Sequence, residues 1–435
     1  MSLLEKASMF KMYLKNRKKS IRQNQDNLSS SAGKVNRIDI FIIIALAILI
    51  IAPFFILIPK KTEIFSNKVY FTISPQYEEL FGKELMKSLL QEFEEKNPNI
   101  HVKTGNSSFS GDIDVLIFNE GEFNSLAAAG SLLELNSFTN YDSGAQQLAI
   151  PLVSNMKLLF YNVDMLTAAG FDHPPKTRDA FISYARKISS GDFNASGAAM
   201  SLSQDDRQAL SRDIFSWIWA NGNSLWSEDG KPLLGTRAII NDITFLGNLN
   251  REGLLAPGIF TTTGEQRLDQ FAQSRVAMMI ASVSAIPQLK EKMGENAFSV
   301  TTIPDSGTGG KYSIGLSSIY IGINSQSKHV EEAWNFLVFL AEKSSMLCAE
   351  LKAVPGERMD IIPGDFVRDD PIYTKAWDIF EASQIVESFT GKPGAEQYEA
   401  IFLEELRVFF ENSRTAQETA VAIQRRWDEV YAGLD

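Results

Sequence analysis

The 435-residue chain contains very little cysteine and histidine. Cys348 is its one cysteine, and its three histidines, His101, His173 and His329, lie far apart in the sequence. One cysteine cannot form a disulfide within the chain or a thiolate metal cluster, and three scattered histidines disfavour a histidine-built metal site. The sequence also lacks a G-x-S-x-G or H-E-x-x-H motif, and residues 307–311 lack the spacing of a phosphate-binding loop. We therefore expect no metal, no cofactor and no catalytic residue, and we expect that the protein is not an enzyme.

Positive charge is scarce except at the start of the chain. Residues 1–39 hold nine Lys or Arg and three Asp or Glu, whereas the remaining 396 residues hold 33 basic and 50 acidic side chains. An acidic surface repels phosphate backbones, so we expect no nucleic acid partner for the main body of the protein.

One long apolar run separates these two parts. Residues 40–58 are nineteen consecutive residues without a polar or charged side chain. At about 1.5 Å per residue, a helix of that length approaches the thickness of a bilayer's hydrocarbon core. The run is too long for a usual signal peptide, and no small-x-small cleavage pattern follows it. We predict a single-pass transmembrane anchor at residues 38–59 in the cytoplasmic membrane. The positive-inside rule places the basic tail, residues 1–37, in the cytoplasm and the body in the periplasm or extracytoplasmic space.

Strand and helix patterns alternate after the anchor. Apolar or β-branched runs at residues 69–73, 100–102 and 114–118 predict strands, and residues 78–96 predict one helix. This β-α-β-α-β order predicts a parallel sheet in an α/β protein, with ligands beyond the carboxyl ends of the strands. Residues 119–122 are interpreted as a polar loop at such an end. Residues 330–351 predict one amphipathic helix, and residues 398–431 are predicted to be almost entirely helical.

Six segments in order resemble the extracellular solute-binding proteins of ABC importers, in particular the sugar-binding branch that includes maltose-binding protein. They are LLQEFEEKNPNI at 89–100, LAAAGSLLEL at 126–135, IP at 150–151 with LFYNVD at 159–164, AGF with PPKT between 169 and 177, FAQSRVAM at 271–278, and AWNFLVFL at 333–340. Each segment alone has low specificity. Together they extend the resemblance over about residues 68–430.

This resemblance implies a two-lobed periplasmic-binding-protein fold, in which two α/β lobes joined by a hinge close around a ligand. Lobe one is expected at residues 66–153 plus 305–340, and lobe two at residues 154–304 plus 341–435. The implied function is the capture of a small-molecule solute, a sugar or oligosaccharide, in the cleft. The solute would then pass to the permease subunits of an ABC transporter.

The resemblance and the positions of strand ends also give candidate ligand contacts. A carbohydrate cleft needs polar groups that hydrogen-bond hydroxyls and aromatic rings that stack on C–H faces. The candidates are Gln76, Tyr77, Asn119, Glu120, Asn155, Trp217, Trp219, Asn221, Ser284, Gly315, Ser317 and Tyr398.

Three positions depart from the family pattern. Ser284 stands where many sugar binders carry a stacking tryptophan, Arg178 replaces a tryptophan, and Ala180 replaces an acidic residue. These changes leave the fold expectation intact and the identity of the solute open. The alternatives are an orphan receptor or sensor with the same fold, a structural surface protein with a degenerate cleft, and a glycoside-acting enzyme. The enzyme would need two carboxylates about 5–10 Å apart.

Overall fold

The fold is that of a computed structural model of the chain. It describes residues 68–106, 112–139, 147–203, 205, 207–307, 312–356, 367, 369–386, 389, 392–411 and 413–434. The predicted cytoplasmic tail and transmembrane anchor lie outside these residues. Within the described ranges, no helix has the length and apolar character needed to cross a bilayer.

Short strands and longer helices alternate along the described chain. The strands are β1 (Val69–Ile73), β2 (Ile100–Thr104), β3 (Val115–Asn119), β4 (Ile150–Asn162), β5 (Ser196–Ala199), β6 (Val276–Ser282), β7 (Phe298–Thr301), β8 (Ser313–Ile314), β9 (Leu316–Ile323), β10 (Val354–Pro355) and β11 (Gln384–Ile385). The helices are α1 (Tyr77–Phe81), α2 (Lys83–Lys96), α3 (Glu120–Ala128), α4 (Asn136–Thr139), α5 (Val163–Ala168), α6 (Arg178–Ser189), α7 (Arg207–Trp219), α8 (Arg237–Arg251), α9 (Gly264–Ala272), α10 (Ile286–Met293), α11 (Val330–Glu342), α12 (Ser344–Leu351), α13 (Pro371–Ala382), α14 (Ala395–Phe410) and α15 (Ala416–Ala432). The helical interpretation of residues 398–431 is thereby confirmed, with a break between α14 and α15.

Most strands join one mixed sheet in the order β2-β1-β3-β9-β4-β6-β5. β1 pairs in parallel with β2 and β3, which confirms the predicted parallel start. β9 is antiparallel to both β3 and β4. The first half of the 13-residue β4 pairs with β9, and its second half pairs with β6 and β7. The sheet therefore has two halves that share β4.

These halves are the sheets of two lobes. We use "lobe one" for β1–β3, the first half of β4, β9 and the helices α1–α3 and α11. "Lobe two" denotes β5–β7, the second half of β4 and the helices α6–α10, α14 and α15. In lobe one, the rings of Phe71, Phe93 and Phe336 pack against one another. In lobe two, Trp427 packs against Phe389 and Phe402 beneath α14. The residue boundaries given above for the lobes stay a prediction.

Three predicted elements differ from the observed ones. The predicted helix 78–96 is two helices, because Gly82 has a φ of 83°, a left-handed conformation that glycine adopts at little cost. The predicted helix 330–351 breaks at Lys343, whose backbone leaves the helical region and whose ammonium pairs with Glu92 of α2. The interpretation of residues 119–122 as a loop is wrong. Asn119 caps α3, and Glu122 bonds back to its backbone N–H, which starts the helix at Glu120.

Candidate functional site

The strand register places the candidate site at the middle of β4. In lobe one, the carboxyl end of β3 reaches Asn119, which pairs with Ile319 of β9, and Ile319 in turn pairs with Val153 of β4. In lobe two, β6 ends at Ser282, which pairs with Lys157 of β4. The carboxyl edges of both half-sheets therefore meet within a few residues of one another. Ligands of open α/β sheets bind beyond such edges, so this junction is the candidate cleft.

The lobe-one wall of the cleft begins where β1 ends. Gln76 is the N-cap residue of α1, and its Oε1 is buried without a hydrogen-bond partner in the described part of the chain. Tyr77 is buried, and its hydroxyl lies 2.8 Å from Oγ1 of Thr104. Of these two candidates, Gln76 has a buried acceptor that a ligand could satisfy, whereas Tyr77 has a protein partner.

Glu120 contacts the opposite lobe. Its carboxylate is buried at the start of α3, and its Oε2 lies 3.4 Å from Nη2 of Arg212 on α7. The same guanidinium lies 3.9 Å from Glu399 of α14. Next to it, Nδ2 of Asn124 donates to the carbonyl of Phe389 at 3.1 Å. Lobe one and lobe two thus meet through an ion cluster and a hydrogen bond. The neighbouring candidate Asn119 is exposed and acts as the α3 cap.

Three candidates come together at the hinge between the lobes. Asn155 of β4 pairs in register with Ser317 of β9. The Ser282 hydroxyl donates to Oδ1 of Asn155 at 3.2 Å, and the Ser284 hydroxyl donates to Oγ of Ser282 at 2.8 Å. The result is a continuous line of small polar groups from β9 across β4 to the end of β6.

A cavity of about 360 Å³ lies beside this line in lobe two. Lys157, Arg267, Ser282, Ser284 and Gln288 are among the residues that line it. Behind Lys157 and Arg267 lies Asp213 of α7, with only 3% of its surface exposed. Its carboxylate is 2.9 Å from Nζ of Lys157 and 2.5 Å from Nη2 of Arg267. We call these three residues the cleft ion cluster.

Trp219 and Gly315 are candidates that the structure brings into direct contact. A Cβ atom added at Gly315 would lie 2.1 Å from Cζ3 of Trp219, which no side chain could tolerate without a shift. The ring of Trp219 is buried, with 4% exposure, and packs against Phe215. Gly315 therefore lets the end of α7 approach the strand that enters the hinge, and Trp219 covers that strand.

Trp217 and Tyr398 lie in the packed core of lobe two. Trp217 packs edge-on against Phe181, and its carbonyl accepts a hydrogen bond from Arg178. Tyr398 packs against Trp226 and Trp427, and burial raises its pKa above the ordinary tyrosine value. The structure does not bring either ring to the junction of the two half-sheets, and their roles as ligand contacts stay predictions.

Asn221 takes part in a second ion cluster, deeper in lobe two. Its amide and that of Asn223 donate to the two carboxylate oxygens of Asp242, which also accepts from Arg178 at 2.6 Å. The guanidinium of Arg178 lies 4.5 Å from the centre of the Phe245 ring. Burial raises the pKa of Asp242 and lowers that of Arg178, and their mutual attraction opposes both shifts. We call this group the core ion cluster. It gives the buried Arg178 both a counter-charge and hydrogen-bond acceptors.

The sequence reasoning missed four residues of the cleft. They are Arg212, Asp213, Lys157 and Arg267, and none of them was among the predicted ligand contacts. One signal was present: Lys157 interrupts the apolar stretch of β4, where a charge must find a buried partner or a ligand. In the part of the chain that is described, no three His, Cys, Asp or Glu side chains are placed to hold a metal ion.

Comparison with known proteins gives a consistent result. A family model described as "Bacterial extracellular solute-binding protein" matches residues 76–346. A putative binding protein of Brucella abortus is 26% identical over 196 residues, which is 45% of this chain and 46% of that protein. This match spans less than half of the relative's length. The multiple sugar-binding protein of Streptococcus mutans is 22% identical over 60% of this chain and 69% of that protein.

The same fold occurs in solved structures. The sugar-binding protein MalE from Xanthomonas citri superposes with a TM-score of 0.70 at 16% identity, covering 84% of this chain and 98% of that chain. At this identity the likeness shows the fold alone. It establishes the two-lobed α/β architecture that the sheet topology describes.

Proposed function

Because this chain belongs to the family of bacterial extracellular solute-binding proteins, we propose that it captures a sugar or oligosaccharide in the cleft between its lobes. The observation that carries the proposal is the contact of Glu120 in lobe one with Arg212 in lobe two. Arg212 is next in sequence to Asp213, whose partners Lys157 and Arg267 line the cavity. A group bound in that cavity would therefore act on residues that also join the lobes.

The polar side chains of the cleft suit a ligand rich in hydroxyl groups. Sites for small molecules combine a concave surface with a few well-placed polar groups. Here Gln76 and Asn124 have buried carbonyl oxygens without hydrogen-bond partners among the described residues. Ser282, Ser284 and Gln288 add donors and acceptors at the cavity. The names of the Streptococcus mutans and Xanthomonas citri proteins, which refer to sugar binding, agree with this ligand class.

We further propose that residues 38–59 anchor the protein in the cytoplasmic membrane, with residues 1–37 inside and the two-lobed body outside. The lobes would comprise residues 66–153 plus 305–340 and residues 154–304 plus 341–435. The closed body would deliver its solute to the permease subunits of an ABC transporter. Tethering keeps the loaded body close to such a permease, which raises its effective concentration there.

The test is a thermal-shift screen of the full chain in detergent against monosaccharides, oligosaccharides, polyols, amino acids and polyamines. A ligand at about 100 times its dissociation constant stabilises the folded state by about 2.7 kcal/mol. We expect a clear rise in melting temperature with one class of sugar. A well-folded protein that responds to none of the compounds would contradict the proposal.

A matched pair of variants shows whether a stabilising ligand occupies the cleft. Gln76→Ala removes the buried acceptor at the end of β1, whereas Gln91→Ala removes an exposed amide that bonds to Glu95 on the outer side of α2. We expect Gln76→Ala to reduce the ligand-induced shift and Gln91→Ala to leave it unchanged. Equal shifts in both variants would place the ligand elsewhere.

A further inference from the structure

The cavity beside the hinge has an uneven arrangement of charge. Its lining includes the ammonium of Lys157 and the guanidinium of Arg267, while Asp213 lies behind them and is not part of the lining. The single carboxylate of Asp213 thus forms an ion pair with both cations. The cleft ion cluster carries one excess positive charge, and both of its cations are on the cavity side.

The burial of Arg267 makes this excess charge costly. Its side chain is only 5% exposed, and the carboxylate beside it is shared with Lys157. An anionic group in the cavity would supply the missing negative charge. Arginine forms strong, short hydrogen bonds with carboxylate and phosphate oxygens.

The remaining charge at the cavity does not cancel this excess. Glu265 also lines it, but this side chain is exposed on the first turn of α9, where water screens its field. The nearby hydroxyls of Ser282 and Ser284 are neutral. The local charge is notable because the chain as a whole is acidic, with a net charge of −11.

The size of the cavity limits the ligand. A volume of about 360 Å³ is near the lower end of the range for small-molecule sites, about 300–1,000 Å³. One sugar ring with one acidic substituent fits that range. A long oligosaccharide would have to extend along the cleft towards Gln76.

We propose that the solute is an acidic sugar, whose carboxylate or phosphate group is bound by Lys157 and Arg267 beside Ser282 and Ser284. This inference rests on the proposed function and adds a charge to its ligand. The shared chemistry is an anionic oxygen group on a hydroxyl-rich ring. Sugar acids and sugar phosphates are the two sources of that chemistry.

The experiment is calorimetric titration of the full chain in detergent with galacturonate, galactose 6-phosphate and neutral galactose. The neutral hexose matches the ring of the other two. We expect one of the two anions to bind at least about tenfold more tightly than galactose, since a hydrogen bond to a charged group contributes enough for such a ratio. Which anion binds identifies the source. We also expect this preference to shrink at high salt.

Variants test the assignment of the residues. Lys157→Met should weaken binding of the anion about tenfold, and by a larger factor than it weakens binding of galactose. Lys292→Met is the control, because it removes a lysine that pairs with Asp269 outside the cavity lining and should not change binding of the anion. A second pair avoids buried charge: Ser284 is exposed, so Ser284→Asp and Ser284→Asn should both fold. Only the aspartate should abolish the preference for the anion.

The outcomes separate the two proposals. Two results would overturn the acidic-sugar inference while the capture of a solute stands. One is that galactose binds as tightly as both anions. The other is that anion binding is unchanged in both Lys157→Met and Ser284→Asp. Failure of every compound in the broader thermal-shift screen would overturn solute capture and this inference together.

Discussion

Lobe two contains two buried ion clusters that are built in different ways. In the core ion cluster, the carboxylate of Asp242 accepts from Arg178, Asn221 and Asn223, so both of its oxygens are satisfied by the protein. In the cleft ion cluster, the single carboxylate of Asp213 has two cationic partners, Lys157 and Arg267. The core ion cluster has one cation and one anion, whereas the cleft ion cluster has two cations and one anion.

The difference indicates what each cluster is for. Buried charges of opposite sign that are equal in number and hydrogen-bonded to each other hold structure in place. The Arg178 cluster joins the start of α6, the end of α7 and the middle of α8. A cluster with unmatched positive charge beside a cavity stores electrostatic free energy that an incoming anion can release. Sequence alone shows both sets as scattered charged residues, and only their partners distinguish them.

The largest expected effect comes from breaking the core ion cluster. Asp242→Ala leaves Arg178 buried without its counter-charge, and removal of one partner of such a pair costs about 3–5 kcal/mol. Urea denaturation of the variant should show this loss in the free energy of unfolding. Asp229→Ala is the control, because its ion pair with Lys231 is exposed and should change nothing measurable. A loss no larger than that of the control would contradict the structural role of Asp242.

Asp213→Ala tests whether the cleft ion cluster is accessible to anions. We expect a smaller loss than for Asp242→Ala, about 2–3 kcal/mol, because Lys157 is partly exposed and its charge can be hydrated. Added phosphate should restore much of the lost stability to Asp213→Ala and none to Asp242→Ala. Unfolding in phosphate and in chloride at equal ionic strength provides the measurement. Equal responses of the two variants to phosphate would remove the distinction between the clusters.

Lys157→Met tests the same distinction from the cationic side. Asp213 keeps its contact with Arg267, so the free energy of unfolding should fall by no more than about 1 kcal/mol. Denaturation with and without the solute should show that ligand stabilisation falls more than intrinsic stability. A loss of intrinsic stability as large as that of Asp242→Ala would mean that Lys157 is mainly structural.

The smallest expected effect on stability is that of Glu120→Gln, which removes the charge that faces Arg212 across the lobes. Glu399 remains near Arg212, so we expect little change in unfolding. Apparent solute affinity should fall a few-fold, because a smaller share of the protein would occupy the closed state before binding. Titration calorimetry of this variant beside Glu79→Gln, an exposed residue of α1, checks the prediction. Unchanged affinity would show that the interlobe contact does not favour closure.

Much of the fold is readable from local patterns in the sequence. Apolar runs located β1, β2 and β3, and Thr177 is a local signal for the start of α6, since its hydroxyl accepts from the N–H of Ala180. The break at Gly82 and the capping box at Asn119 and Glu122 were also local signals, which were missed. Local signals therefore mark most of the element boundaries. Some of these signals were used in the predictions, and others were missed.

The candidate site was less predictable because it depends on partners that are distant in the sequence. Arg178 meets Asp242 across 64 residues, and Arg267 meets Asp213 across 54. No local pattern specifies such pairs, and Asp and Glu are too common for their positions to be informative. The close contact of Trp219 with Gly315 has the same origin. Lys157 is the exception, because a charged residue within an apolar strand is visible in the sequence and could have been identified as a residue of the candidate site.

The central claim is that the two lobes close around a solute held in the cleft, and a distance between the lobes tests it most directly. Spin labels at Lys87→Cys in α2 and Glu396→Cys in α14 report on opposite lobes from exposed positions. The native Cys348 is buried, and burial raises the pKa of its thiol to about 12, so it should remain unlabelled. The account predicts a shorter, narrower distance distribution when a stabilising solute is added. A solute that binds at one equivalent and leaves the distribution unchanged would contradict it.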